Sequence, residues 1–224
     1  LLESPDLPWN WGWISINPSL TLGMLRAFKG KPWDWKEMSS NPSLTMEIIR
    51  EFPGKPWCWN LVGKNPGILF SDIINCQELP WDWRSISNRH GLPTQFLLRF
   101  KDMPLNWECL SRNSSFTTGD IADNPGLPWC WYGVSGNLAL TLGMLRAFKD
   151  MPWDWGEISH NPALTLAMLR AFPGKKWDWG SVSKNPGITM EDVTDNPGLP
   201  WDFKLMSGNP NLTLEILLTF PSKR

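Results

Sequence analysis

The residues of this 224-residue chain that carry the means for chemistry are two histidines, four cysteines and a set of arginines at fixed spacing. His90 and His160 are separated by almost three turns of the repeat described below, so neither imidazole can serve the other. Ser, Asp and Glu are plentiful, but they recur at cap and turn positions and form no nucleophile–base–orienter set. The phosphate-cradling G-x-x-x-x-G-K-[ST], the dinucleotide G-x-G-x-x-G and the zinc-binding H-E-x-x-H are all missing from the sequence. No catalytic, metal or cofactor-binding residue is therefore assigned, and enzymatic activity is not expected. Cys58 and Cys130 occupy the same column three repeats apart, ~25–30 Å if layers stack at ~8–10 Å, which is beyond disulfide reach. With no C-x-x-C, and no paired spacing for Cys76 and Cys109, the expectation is four free thiols in a reducing compartment.

Arg26, Arg50, Arg146 and Arg170 share one column, with Arg99 one place along and Lys29, Lys101 and Lys149 nearby. Such a stripe could track phosphates. It could equally place cations at helix C-termini, where they complement the backbone dipole. An acidic column (Asp34, Asp82, Asp154, Asp178, Asp202) and a net charge of −1 balance it, so nucleic-acid binding is not expected. The candidate contact residues for a protein partner are these four arginines together with Arg89 and His90.

What must position these groups is a strict 24-residue period. Trp9, Trp33, Trp57, Trp81, Leu105, Trp129, Trp153, Trp177 and Trp201 set the register of nine repeats without insertion or deletion. A second aromatic follows each two residues later: Trp11, Trp35, Trp59, Trp83, Trp107, Trp131, Trp155, Trp179 and Phe203. A period of this length marks a solenoid, in which each repeat buries its apolar face against its neighbours. Fully buried, one Trp contributes about 4–6 kcal/mol gross, so the two Trp columns are read as structural.

Each repeat reads as two short helices. In repeat 2, Asp34 is an N-cap, with Glu37 completing a capping box; Thr45 caps the second helix, with Leu44 and Ile49 as its hydrophobic staple. Asn-Pro between them (Asn41-Pro42, Asn161-Pro162, Asn185-Pro186, Asn209-Pro210) makes a turn. Repeats 5 and 8 carry Asp120 or Asp192 three residues after the Thr cap and end in Asp-Asn-Pro-Gly-Leu-Pro; repeat 3, with Asp72 and Cys76, belongs with them. Repeats 4 and 5 depart furthest: Arg89-His90-Gly91 replaces Asn-Pro, Pro93 replaces the Thr cap and Leu105 replaces Trp. A leucine-rich repeat has a similar period but needs an L-x-L strand with period-2 alternation, which is missing from this unit. The expected fold is all-α: a solenoid of nine two-helix repeats forming one continuous array over 1–224. Because Leu1-Leu2 falls where an earlier second helix should end, and Leu217-Leu218-Thr219-Phe220 nearly completes one, the array reads as a segment of a longer chain.

The alternation of N-P-x-[LI]-T with P-W-D-W-x-x-[IM]-S resembles tandem repeats in uncharacterised proteins of giant DNA viruses of protists. Pro32-Trp-Asp-Trp, Pro152-Trp-Asp-Trp and Asp195-Asn-Pro-Gly-Leu-Pro-Trp-Asp are its clearest strings, and the likeness runs through all nine repeats. It implies architecture and carries no activity with it. The functional expectation is a non-enzymatic structural or assembly component, of a virus particle or another large assembly, acting through an extended protein-binding surface. A soluble protein-binding adaptor is the alternative, and nucleic-acid binding along the arginine column the remote one. Partners would be capsid or other assembly subunits, with end-to-end or lateral self-association open to it. No cofactor is called for, no stretch approaches the ~20 apolar residues of a membrane span, and the location would be the virion or the cytoplasm.

Overall fold

In the computed structural model, residues 7–214 and Leu217 are described; Leu1, Leu2, Leu218 and Phe220 lie outside them. The chain is an all-α repeat solenoid, with no strand among the described residues. It divides into two compact units, residues 1–106 and 107–224, the boundary falling beside Leu105, where the first Trp column is interrupted. Repeat 7 is representative: Trp155–His160 forms the first helix and Leu166–Ala171 the second. Within each unit the first helices of successive repeats pack against one another.

Helices this short are marginal alone, and local capping defines their ends. The Asp34, Asp82, Asp154, Asp178 and Asp202 carboxylates accept from the first-turn backbone. Thr21, Thr45, Thr141 and Thr189 do the same for second helices. Asp72, Asp120 and Asp192 each accept the backbone N–H three residues earlier at 2.8 Å. Pro93 opens its helix with no side-chain cap.

One capping expectation is corrected. Asp34 caps Glu37, but the Asp34 N–H donates to Ser15 Oγ of the preceding repeat, 3.0 Å away, and not to Glu37. A buried hydroxyl from the neighbouring layer displaces an exposed carboxylate that would have to order a long side chain. The same bond joins Ser39 to Cys58 and Ser87 to Asn106 in the N-terminal unit, and Ser111 to Cys130, Ser135 to Asp154, Ser159 to Asp178 and Ser183 to Asp202 in the C-terminal one, at 2.8–2.9 Å or 3.0 Å. Ser15, Ser39, Ser135, Ser159 and Ser183 each also donate to the carbonyl four residues back, so both functions of the hydroxyl are used.

A second ladder runs through the asparagines. Asn161 Nδ2 donates to Ser135 O at 3.0 Å and Asn137 O at 2.8 Å, while its Oδ1 accepts from the Ala163 N–H at 2.9 Å. Asn41, Asn65, Asn137, Asn185 and Asn209 make the equivalent pair of bonds to carbonyls of the preceding repeat. Only an amide supplies two donors on one side and an acceptor on the other, and this fixes which atom is oxygen. The ladders keep the interior polar groups satisfied: no buried side-chain N or O among the described residues lacks a partner.

Tryptophan completes the stack. Trp33, Trp57, Trp81, Trp153 and Trp177, with Trp129 and Trp201, are 6–8 % exposed. Their indole N–H groups donate to the carbonyl five residues back at 2.7–3.0 Å. Trp35, Trp59, Trp83, Trp155 and Trp179 are half-buried. Trp35, Trp59, Trp155 and Trp179 set an edge against the first Trp of the next repeat, with centroids 4.9–5.4 Å apart. Trp83, facing the Leu105 position, packs instead on Phe100 at 5.0 Å.

Candidate functional site

The arginine column proves to be a set of cross-repeat links. Arg26 reaches Glu51 of the next repeat with Nε at 3.3 Å and Nη2 at 3.1 Å, with Glu47 3.9 Å away. The hydrogen bond from Arg26 holds the Glu51 carboxyl below its usual range, against the effect of desolvation. Arg50 donates to Cys76 Sγ at 2.9 Å and Arg170 to Asn196 Oδ1 at 2.8 Å. Arg146 is exposed, and the positions 25 and 26 residues on are Ala171 and Phe172, which offer no side-chain acceptor.

Arg89 stands in the asparagine column, and it takes over the asparagine's work. Its guanidinium donates to Gly63 O at 3.5 Å and Ile68 O at 2.6 Å, carbonyls of the preceding repeat, and lies over the Phe70 ring with 4.5 Å to the centroid. Burial pushes its pKa below the usual arginine value, with Asp72 opposing. The repeat beneath it carries Gly63, the one glycine in the serine column, so both ladders change at the same junction. His90 is exposed beside Gly91, which turns the chain at φ +72°.

Two side-chain clusters arise that the sequence does not announce. His160 Nε2 lies 2.7 Å from Ser181 Oγ, which donates to Asp178 Oδ2 at 2.8 Å, while His160 Nδ1 faces Gly156 O at 2.8 Å. These are the residue types of a hydrolytic triad in the wrong order. The carboxylate holds the serine and not the imidazole, and Ser181 is 4 % exposed. The bond from Ser181 keeps the Asp178 carboxyl below its usual range. The group ties repeat 7 to repeat 8.

The second cluster spans three repeats. Arg112 lies over the ring of Tyr132, 5.2 Å to the centroid, and pairs with Glu157 two repeats further on. Gly136 makes this reach possible: a Cβ there would overlap the Arg112 guanidinium and stand 2.7 Å from Glu157 Oε1. Hydrogen bonding to Glu157 raises the Tyr132 pKa above its ordinary value.

Set against protein-family models, curated proteins and solved structures, the chain matches none.

The remaining repeated surface feature is the outer face of the second Trp column. Lys31, Lys55 and Lys175 place their ammonium groups over Trp11, Trp35 and Trp155 at 5.8, 5.2 and 5.3 Å. None of the four cysteines is joined in a disulfide, and no group of three His, Cys, Asp or Glu among the described residues could hold a metal ion. No described helix is long and apolar enough to cross a membrane.

Proposed function

We propose that this protein is a structural or assembly component, non-enzymatic, that presents a periodic surface to protein partners. The observation that carries this reading is where the polar side chains go. Ser, Asn and most of the arginine column are committed to bonds between successive repeats, so the chain's hydrogen-bonding capacity goes into maintaining a regular array. Solenoid surfaces of this kind commonly serve as extended binding faces. With Arg26, Arg50 and Arg170 engaged by Glu51, Cys76 and Asn196, a protein partner is favoured over a nucleic acid. The resemblance to repeat proteins of giant DNA viruses of protists makes shell or other particle subunits the proposed partners, with the virion or cytoplasm as the location.

Affinity purification of the full chain from its native source, with quantitative mass spectrometry, tests this. Stoichiometric recovery of particle subunits is the expected result. Sub-stoichiometric recovery of a few soluble proteins would overturn it in favour of an adaptor, for which exposed His90 and Arg146 are the contact residues to replace first.

A further inference from the structure

In the C-terminal unit, a cleft of about 150 Å³ opens between the Asp-Asn-Pro-Gly-Leu-Pro link of repeat 5 and the aromatic face of repeat 6. Trp129, Trp131, Phe148, Met151, Pro125 and Pro128 line it. Trp131 and Phe148 form a tilted pair, centroids 5.5 Å apart. Phe148 is half-buried, as is its equivalent Phe172, while Phe28 and Phe52 are buried. The volume is that of a guest the size of benzene, which also accommodates a trimethylammonium head.

The repeats themselves indicate what fits. Trp131 is equivalent to Trp11, Trp35 and Trp155, and over each of those the chain lays its own lysine, twenty residues on. In repeat 6 that position is Met151, a neutral side chain that forms one wall of the cleft. The faces of indole and benzyl rings are electron-rich and attract alkylammonium groups, most strongly where water is partly excluded. No cationic side chain lines the walls, so an anionic ligand would be desolvated there without a partner, whereas a cation meets the ring faces. We infer that the Trp131 cleft is a binding site for an alkylammonium group, supplied in trans where repeats 1, 2 and 7 supply it in cis. The source is either a lysine side chain of another protein or a small quaternary ammonium compound.

Titration of the full chain, ¹⁵N-labelled at tryptophan, with tetramethylammonium, Nα-acetyl-lysine amide and the neutral analogue tert-butanol tests the site. The indole N–H resonances of Trp129 and Trp131 should shift saturably with a cation and not with tert-butanol. Preference for tetramethylammonium indicates a small quaternary ligand, and preference for the lysine amide a protein lysine. Met151→Lys, which copies what repeats 1, 2 and 7 already accommodate, should abolish the shift. Lys175→Met should create a second saturable response at Trp155. Absence of a saturable shift with either cation, an equal response to tert-butanol, or binding unchanged in Met151→Lys would overturn the assignment.

Discussion

Ser159 shows why single hydroxyls matter in this molecule. Its Oγ donates to Trp155 O and accepts the Asp178 N–H, both at the junction of repeats 7 and 8. Removing it orphans a backbone donor beside a fully buried position, so Ser159→Ala should lose about 1–3 kcal/mol in urea denaturation of the full chain. A surface change such as Lys176→Ala should stay within ~0.5 kcal/mol. Tyr132 gives a second check at this scale, because the chain has one tyrosine. Its phenol should ionise above the usual ~10, since Glu157 favours the protonated form. Phenolate absorbance followed against pH should show this, and Glu157→Gln should bring the midpoint down; a midpoint at the ordinary value in the parent protein would mean the Arg112–Tyr132–Glu157 group does not persist in solution.

At the scale of the element, the two-helix repeat and its caps are legible because their causes are local: Asp and Thr sit at the helix starts, and Asn-Pro separates the helices. The two ladders are not legible in the same way, because their bonds join residues 19, 24 and 26 positions apart. Each Ser and Asn also has a sufficient local role as helix or turn residue, which conceals the longer one. A signal was nonetheless there. Serine fills its column in every repeat except at Gly63, and asparagine its column except at Arg89. The arginines hide for the same reason: a helix C-terminus accounts for them locally, while their acceptors lie one repeat further on. Backbone proximity in the Asn-Pro turn is the tightest constraint here. A Cβ on Gly187 would overlap Leu164 O and stand 2.9 Å from Pro162 O, whereas Gly174 meets nothing within 4 Å. Gly187→Ala should therefore cost about 1–3 kcal/mol through forced backbone movement. Gly174→Ala should cost nothing by the same urea measurement, and equal effects would mean the turns are less closely stacked.

For the whole molecule, stability should behave as a sum of repeats and nearest-neighbour junctions. The junction that departs from both ladders joins repeats 3 and 4, where Gly63 and Arg89 replace the two ladder residues and Pro93 leaves a helix without a side-chain cap. Native-state hydrogen exchange at the N-cap amides tests the central claim that buried side-chain ladders bind repeat to repeat. An N-cap N–H has no partner within its own helix and exchanges freely unless another group holds it. The amides of Asp154, Asp178 and Asp202, each bonded to a serine of the preceding repeat, should be protected by orders of magnitude. The amide of Asp82, which faces the Gly63 position, should exchange much faster. Uniformly unprotected N-cap amides would contradict the ladder, and with it the account of how these repeats are held together.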